Sequence, residues 1–196
     1  LMSHRSGFST PENFYVDALR ADDLEELMEI ISTEPLHYEP GTKYLYGISQ
    51  SILGRVAEVA SGKSFDIFLK ESLFDPLEMN RTGFYLDEKT KKLLQPLYVS
   101  GGNLEGFNED GITRIGNMMT YHKNSQTPLG AEGVLTTTGD FSNFCEMLVS
   151  NGSFKGKKIL APESIGLMTS KFSEGYPEEY WGEQYFLGFY KGLSVY

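Results

Sequence analysis

The stretch that most restricts the fold runs from Pro40 to Pro76, PGTKYLYGISQSILGRVAEVASGKSFDIFLKESLFDP. A Pro-Gly turn opens it. Ile48, Ile52, Leu53, Val56, Val59 and Ala60 then recur at helical spacing, which predicts a helix with these residues on one buried side. Gly62 ends that helix, because a C-terminal cap in the left-handed region suits a residue without a β-carbon. Ser64 is placed to cap the next helix, FDIFLKESLF, with Phe65, Phe68 and Leu69 inward, and Pro76 stops it. The segment therefore reads as two helices joined by a short, chemically punctuated turn. Tyr46 falls just ahead of the first helix, between the rigid turn and the apolar stripe.

The same spacing recurs elsewhere. ADDLEELMEIIS carries Leu24, Leu27, Met28 and Ile31 on one face, with acids at its start that suit the helix dipole. GDFSNFCEMLVSNG carries Phe141, Phe144, Cys145 and Leu148, and Asn151-Gly152 closes it. APESIGLMTS has Pro162 at a favourable first-turn position. Strand signals are fewer. GFYL at 83–86 is a candidate, and YFLGFYKGLSVY at 185–196 is the best, being aromatic and β-branched with some alternation. Residues 95–130 are rich in turn formers, a length of loop that in a compact domain is usually functional or partly mobile.

Composition narrows the class. The 196 residues carry a net charge of −10, which argues against a nucleic-acid partner, since phosphate binding needs a basic face. No apolar run reaches the roughly 18–20 residues of a membrane span. Cys145 is the single cysteine, so there is no intrachain disulfide and no paired-cysteine metal site. Thirteen Phe and twelve Tyr point to an aromatic core or cleft.

Three motifs carry less than they promise. Gly62-Lys63-Ser64 looks like the end of a phosphate-binding loop, but the glycine required five residues earlier is Ala57, inside the helical stripe. His4, His37 and His122 lack metal-ligand spacing, so no metal and no cofactor are expected. His4 has suggestive neighbours in Ser3 and Ser6-Gly7, yet on composition it reads as structural. The nucleophile elbow Gly-x-Ser-x-Gly is absent.

LMSHRSGF, the segment from Tyr38 to Phe84, and GAEGVLTTTGDFSNFCEMLVSNG resemble, in order and spacing, the serine β-lactamase and penicillin-binding protein-like family, which includes class C β-lactamases, DD-peptidases and related esterases. The resemblance implies an α+β, β-lactamase/transpeptidase-like fold. Residues 1–184 would form mainly its helical region, and 185–196 a strand entering the sheet. It also implies a Ser-x-x-Lys nucleophile, a tyrosine motif and a late Lys/His-x-Gly strand. Tyr46 matches the tyrosine and is the expected catalytic residue; Gly7, Phe8 and Ile48 are the expected substrate-binding residues, Gly7 and Phe8 at a cleft rim. Ile48 stands where lactamases of the family usually have an asparagine, a form closer to the esterase-like branch. No serine in this chain is followed by lysine three residues on, and the final motif is absent too, so the chain is expected to be the middle of a longer member.

The chemistry so implied is acyl transfer from a small-molecule ester or amide. A tyrosine hydroxyl titrates near 10, so working as a base at neutral pH requires about 4 kcal/mol of phenolate stabilisation, which a neighbouring ammonium can supply. From local sequence alone, Tyr46 reads as a half-buried core residue; the resemblance makes it a proton carrier. The alternatives are a non-catalytic ligand-binding or regulatory relative with the same fold, and a free-standing structural domain. A Ser-x-x-Lys upstream distinguishes the enzyme from the binding protein, and cooperative melting of the chain alone tests the third.

Overall fold

Helix formation begins earlier than the periodicity suggests. The computed structural model describes residues 1–95 and 127–171, with the backbone of 99–100 and 107–108. A short helix, α1 (Phe14–Arg20), precedes α2 (Leu24–Ser32). At the start of α2, Asp23 accepts the Glu26 N–H at 2.9 Å while Glu26 reaches back to the Asp22 N–H at 2.8 Å, so one donor of the first turn and the one just before the cap are satisfied by neighbouring carboxylates. Leu24, Leu27 and Ile31 are buried, as their spacing predicts.

The helix α3 (Ser49–Ser61) forms where expected and ends at Gly62, φ +68°. Its buried face is not the expected one. Val56 and Val59 are exposed, whereas Ser49, Ser51, Gly54 and Glu58 are buried. The cause is close approach. A β-carbon added at Gly54 would lie 3.3 Å from both Leu24 Cδ1 and Phe65 Cδ1, so small residues let α2 and the next helix press against this side.

That next helix, α4 (Phe65–Leu69), continues as a π-helical turn over Lys70–Phe74. Ser64 stands at its N-cap with extended backbone but makes no capping bond through its side chain. Glu58 takes that part: its Oε1 accepts the Phe65 N–H at 2.8 Å, and its other oxygen meets Arg55 at 3.2 Å. Arg55 also reaches Glu25 at 2.7 Å, tying α2 to α3.

Phe74, Leu77 and Met79 begin a second core, completed by Met147, Phe154 and Ile165. A one-turn helix, α5 (Glu88–Lys91), follows, then the paired strands β1 (Val99–Ser100) and β2 (Phe107–Asn108). The segment 83–86 is not a strand; Gly83 makes one antiparallel bridge to Leu135, with bonds of 3.0 and 2.8 Å. The helix α6 (Thr138–Val149) is capped by Thr137, whose hydroxyl accepts the Asp140 N–H at 3.2 Å. Its buried residues are Asp140 and Met147; Phe141 and Cys145 are exposed, Phe144 and Leu148 only partly buried. Asp140 faces inward because its carboxylate accepts from the Arg81 N–H at 2.7 Å and the Thr82 hydroxyl at 2.8 Å.

A tight hairpin of β3 (Ser153–Phe154) and β4 (Lys157–Lys158) leads to α7 (Pro162–Thr169), with Pro162 in the first turn as anticipated. No strand lies between residues 20 and 80. Among the described residues no helix is long and apolar enough to cross a membrane. The strand expected at 185–196 and most of the turn-rich region lie outside the described residues.

Candidate functional site

Tyr46 sits two residues ahead of the N-cap of α3, and its position is set by two backbone clasps. The Gly41 N–H donates to the Arg5 carbonyl at 2.7 Å, and the Leu45 N–H donates to the His4 carbonyl at 2.8 Å. A third connection is made by side chains: Ser6 Oγ and Ser49 Oγ lie 2.9 Å apart, both buried. The N-terminal strap 4–6 is thus bonded to the turn before Tyr46, to the residue beside it and to the first residue of the helix behind it.

Gly7 extends the clasp. Its φ is +85°, and a β-carbon there would fall 2.2 Å from the Tyr38 carbonyl oxygen, so no larger residue fits. Its own carbonyl accepts the His37 N–H at 2.9 Å. The backbone of residues 8–10 then crosses Gly47, where an added β-carbon would sit 3.3 Å from the Phe8 carbonyl. On the other side, the segment carrying Leu129 and Gly130 presses on the first turn of α3. A β-carbon at Gly130 would lie 2.1 Å from the Gln50 carbonyl oxygen. Thr127 anchors this segment, its hydroxyl donating to the Ala21 carbonyl at 3.0 Å.

The four residues singled out by sequence therefore meet in one neighbourhood but present different faces. Tyr46 is 56% exposed. Phe8 is half-buried against the first core and lines an apolar groove of about 470 Å³ with Met28, Ile52, Val56 and Val59. Gly7 is buried beneath residues 36–38. Ile48, 2% exposed, packs with Phe14, Leu24, Leu27, Ile31 and Leu129. Its side chain belongs to the core, and it fixes the helix start by hydrophobic burial.

Sequence reasoning gave no site role to His4, which is 4% exposed and stacks on Tyr46 with ring centroids 4.7 Å apart and planes at 28°. The partial signal was its place beside Ser6 and Gly7. The pairing of Ser6 with Ser49 had no signal at all, since 43 residues separate them.

What this arrangement can do chemically is hold one phenol hydroxyl at a surface on a backbone that cannot shift without breaking several bonds. Relatives carry the comparison further. A protein of Escherichia coli O157:H7 named "Putative D-alanyl-D-alanine carboxypeptidase" is 24% identical over 190 residues, which cover 89% of this chain and 43% of that protein. An N-acetylmuramyl-L-alanine amidase of Bacillus subtilis is 21% identical, covering 87% of this chain and 42% of the relative. The chain thus spans less than half the length of these curated relatives. Among solved structures, one described as a "putative beta-lactamase" from Bacteroides dorei superposes with a TM-score of 0.66 at 26% identity, over 98% of this chain and 50% of that one. The helical frame is that of the β-lactamase/transpeptidase-like fold. The Beta-lactamase family matches residues 1–195, so the chain belongs to that family.

Proposed function

We propose that this chain supplies the tyrosine-bearing portion of a serine hydrolase that cleaves a small ester or amide through an acyl-enzyme. The observation that carries the reading is Tyr46: an exposed phenol on a backbone clasped at Arg5, His4 and Ser6. A group that moves a proton must be held within about 3 Å of its partner, and rigid support of this kind is what such a group requires. The hydrolase names of the relatives agree with it.

In the complete protein a serine outside residues 1–196 is the nucleophile, because none here has lysine three residues on. Tyr46 takes the serine proton as the carbonyl is attacked. The tetrahedral oxyanion forms against backbone N–H groups, and the proton returns to the leaving group. Water or another acceptor then releases the acyl chain. Gly7 contributes by fixing the strap behind the tyrosine, Phe8 by offering an apolar wall, and Ile48 by anchoring the helix start rather than by touching substrate.

Tyr46→Phe in the complete protein tests this reading. The change removes one hydroxyl and keeps the ring. With a p-nitrophenyl ester, kcat/KM falls at least about 10²-fold, the scale of a lost acid–base group. The thermal midpoint moves little, since a single hydrogen bond contributes about 1 kcal/mol. Near-normal turnover in a folded Tyr46→Phe protein would remove Tyr46 from the mechanism.

A further inference from the structure

His4 is a buried polar residue with no part in the proton transfer described above. Its φ of +53° lies in the left-handed region, which residues with a β-carbon avoid. The strap holds it there. Its N–H donates to the Leu1 carbonyl at 2.9 Å, its carbonyl accepts the Leu45 N–H at 2.8 Å, and Ser6 is tied to Ser49 two residues on. This turn delivers the imidazole to the Tyr46 ring, stacked at 4.7 Å and 28°, with Tyr44 tilted against its flank at 5.8 Å and 60°.

Tyr46 needs such a neighbour. A phenol more than half in solvent has several staggered orientations open to it, and only those that aim its hydroxyl at the reacting atoms are useful. A flat ring, itself buried and fixed by its backbone, covers one face of the phenol and selects among them. We infer that His4 is a positioning residue: its imidazole plane holds Tyr46 in one orientation, so the ring counts and its charge does not. This inference rests on the reading of Tyr46 as the proton carrier. Aromatic stacking of this kind corresponds to about a 3- to 10-fold preference for the held orientation.

The test is a set of substitutions in the complete protein, with kcat/KM for a p-nitrophenyl ester and the thermal midpoint measured together. His4→Ala lowers kcat/KM about 3- to 10-fold. His4→Phe, which keeps a ring and cannot be protonated, recovers most of that loss. His4→Leu fills the space without a ring and stays low, so it stands in for alanine where that variant does not fold. In a Tyr46→Phe background, the same His4 substitutions change the residual rate by less than about 2-fold, because the hydroxyl they orient is gone. Equal losses in His4→Phe and His4→Leu would overturn the inference, as would a His4→Ala or His4→Leu protein with full activity. So would an undiminished His4 effect in the Tyr46→Phe background. Tyr46→Phe alone judges the parent reading: if it loses activity and the His4 variants do not, the mechanism stands and the positioning role falls.

Discussion

Single residues in this chain do work that their local sequence assigns to others. Glu58 caps α4 in place of Ser64, and Asp140 turns inward to accept from Arg81 and Thr82 rather than outward into solvent. Tyr85 shows the electrostatic consequence of such burial. Desolvation pushes its hydroxyl up to about 12, and the carboxylates of Asp66 and Glu58 add to the shift. In the unfolded chain the same hydroxyl titrates near 10. The folded form therefore holds the proton more tightly. The stability it contributes is complete below pH 10 and is lost as pH rises toward 12. Tyr85 is only half-buried, so after solvent screening the effect is on the order of 1 kcal/mol. Urea denaturation between pH 9 and about 11.5 should show a steeper loss of stability in the wild type than in Tyr85→Phe. Parallel curves would mean that the hydroxyl is not desolvated.

At the scale of elements, local chemistry was legible and orientation was not. The helices at 24–32, 49–61, 138–149 and 162–169 could be read because apolar spacing, Gly62, Asn151-Gly152 and Pro162 are signals carried within a few residues. The buried face of α3 could not, because what decides it is the room that Gly54 leaves for Leu24 of α2 and for Phe65. Apolar Val56 and Val59 are left outward, along the groove with Phe8. The first helix and the 153–158 hairpin lacked a strong stripe or enough length to announce themselves. Of the candidate site, the place of Tyr46 just ahead of α3 was legible from the turn and the helical spacing, and the resemblance made it the candidate proton carrier. Its stacking partner was not legible, since His4 lies 42 residues away in sequence and is brought in by the backbone bonds of the strap and the Ser6–Ser49 hydrogen bond. Gly130 is the element-scale test of that packing. Gly130→Ala forces a β-carbon against the Gln50 carbonyl, so the 127–130 segment or the first turn of α3 must move. The expected cost is about 2–3 kcal/mol by urea denaturation of the complete protein, as for other overpacked sites. A loss below about 0.5 kcal/mol, the level of an ordinary surface change, would show that the contact is loose.

For the whole molecule, family membership is carried by the match over residues 1–195 and the shared helical frame, the chain spans less than half the length of its curated relatives, and the proposed chemistry draws on a serine outside it. In the proposed mechanism the chain contributes one oriented hydroxyl and the scaffold that clasps it. Function then turns on whether that hydroxyl takes part in forming a covalent acyl-enzyme. The direct measurement is the rate of acyl-adduct formation on the complete protein, followed by quenched-flow and intact mass spectrometry with a p-nitrophenyl ester. The predicted result is a single acyl group on a serine outside residues 1–196, formed at least about 10²-fold more slowly in Tyr46→Phe than in the wild type. An adduct on a residue within 1–196, no adduct during turnover, or equal acylation rates in the two proteins would contradict it.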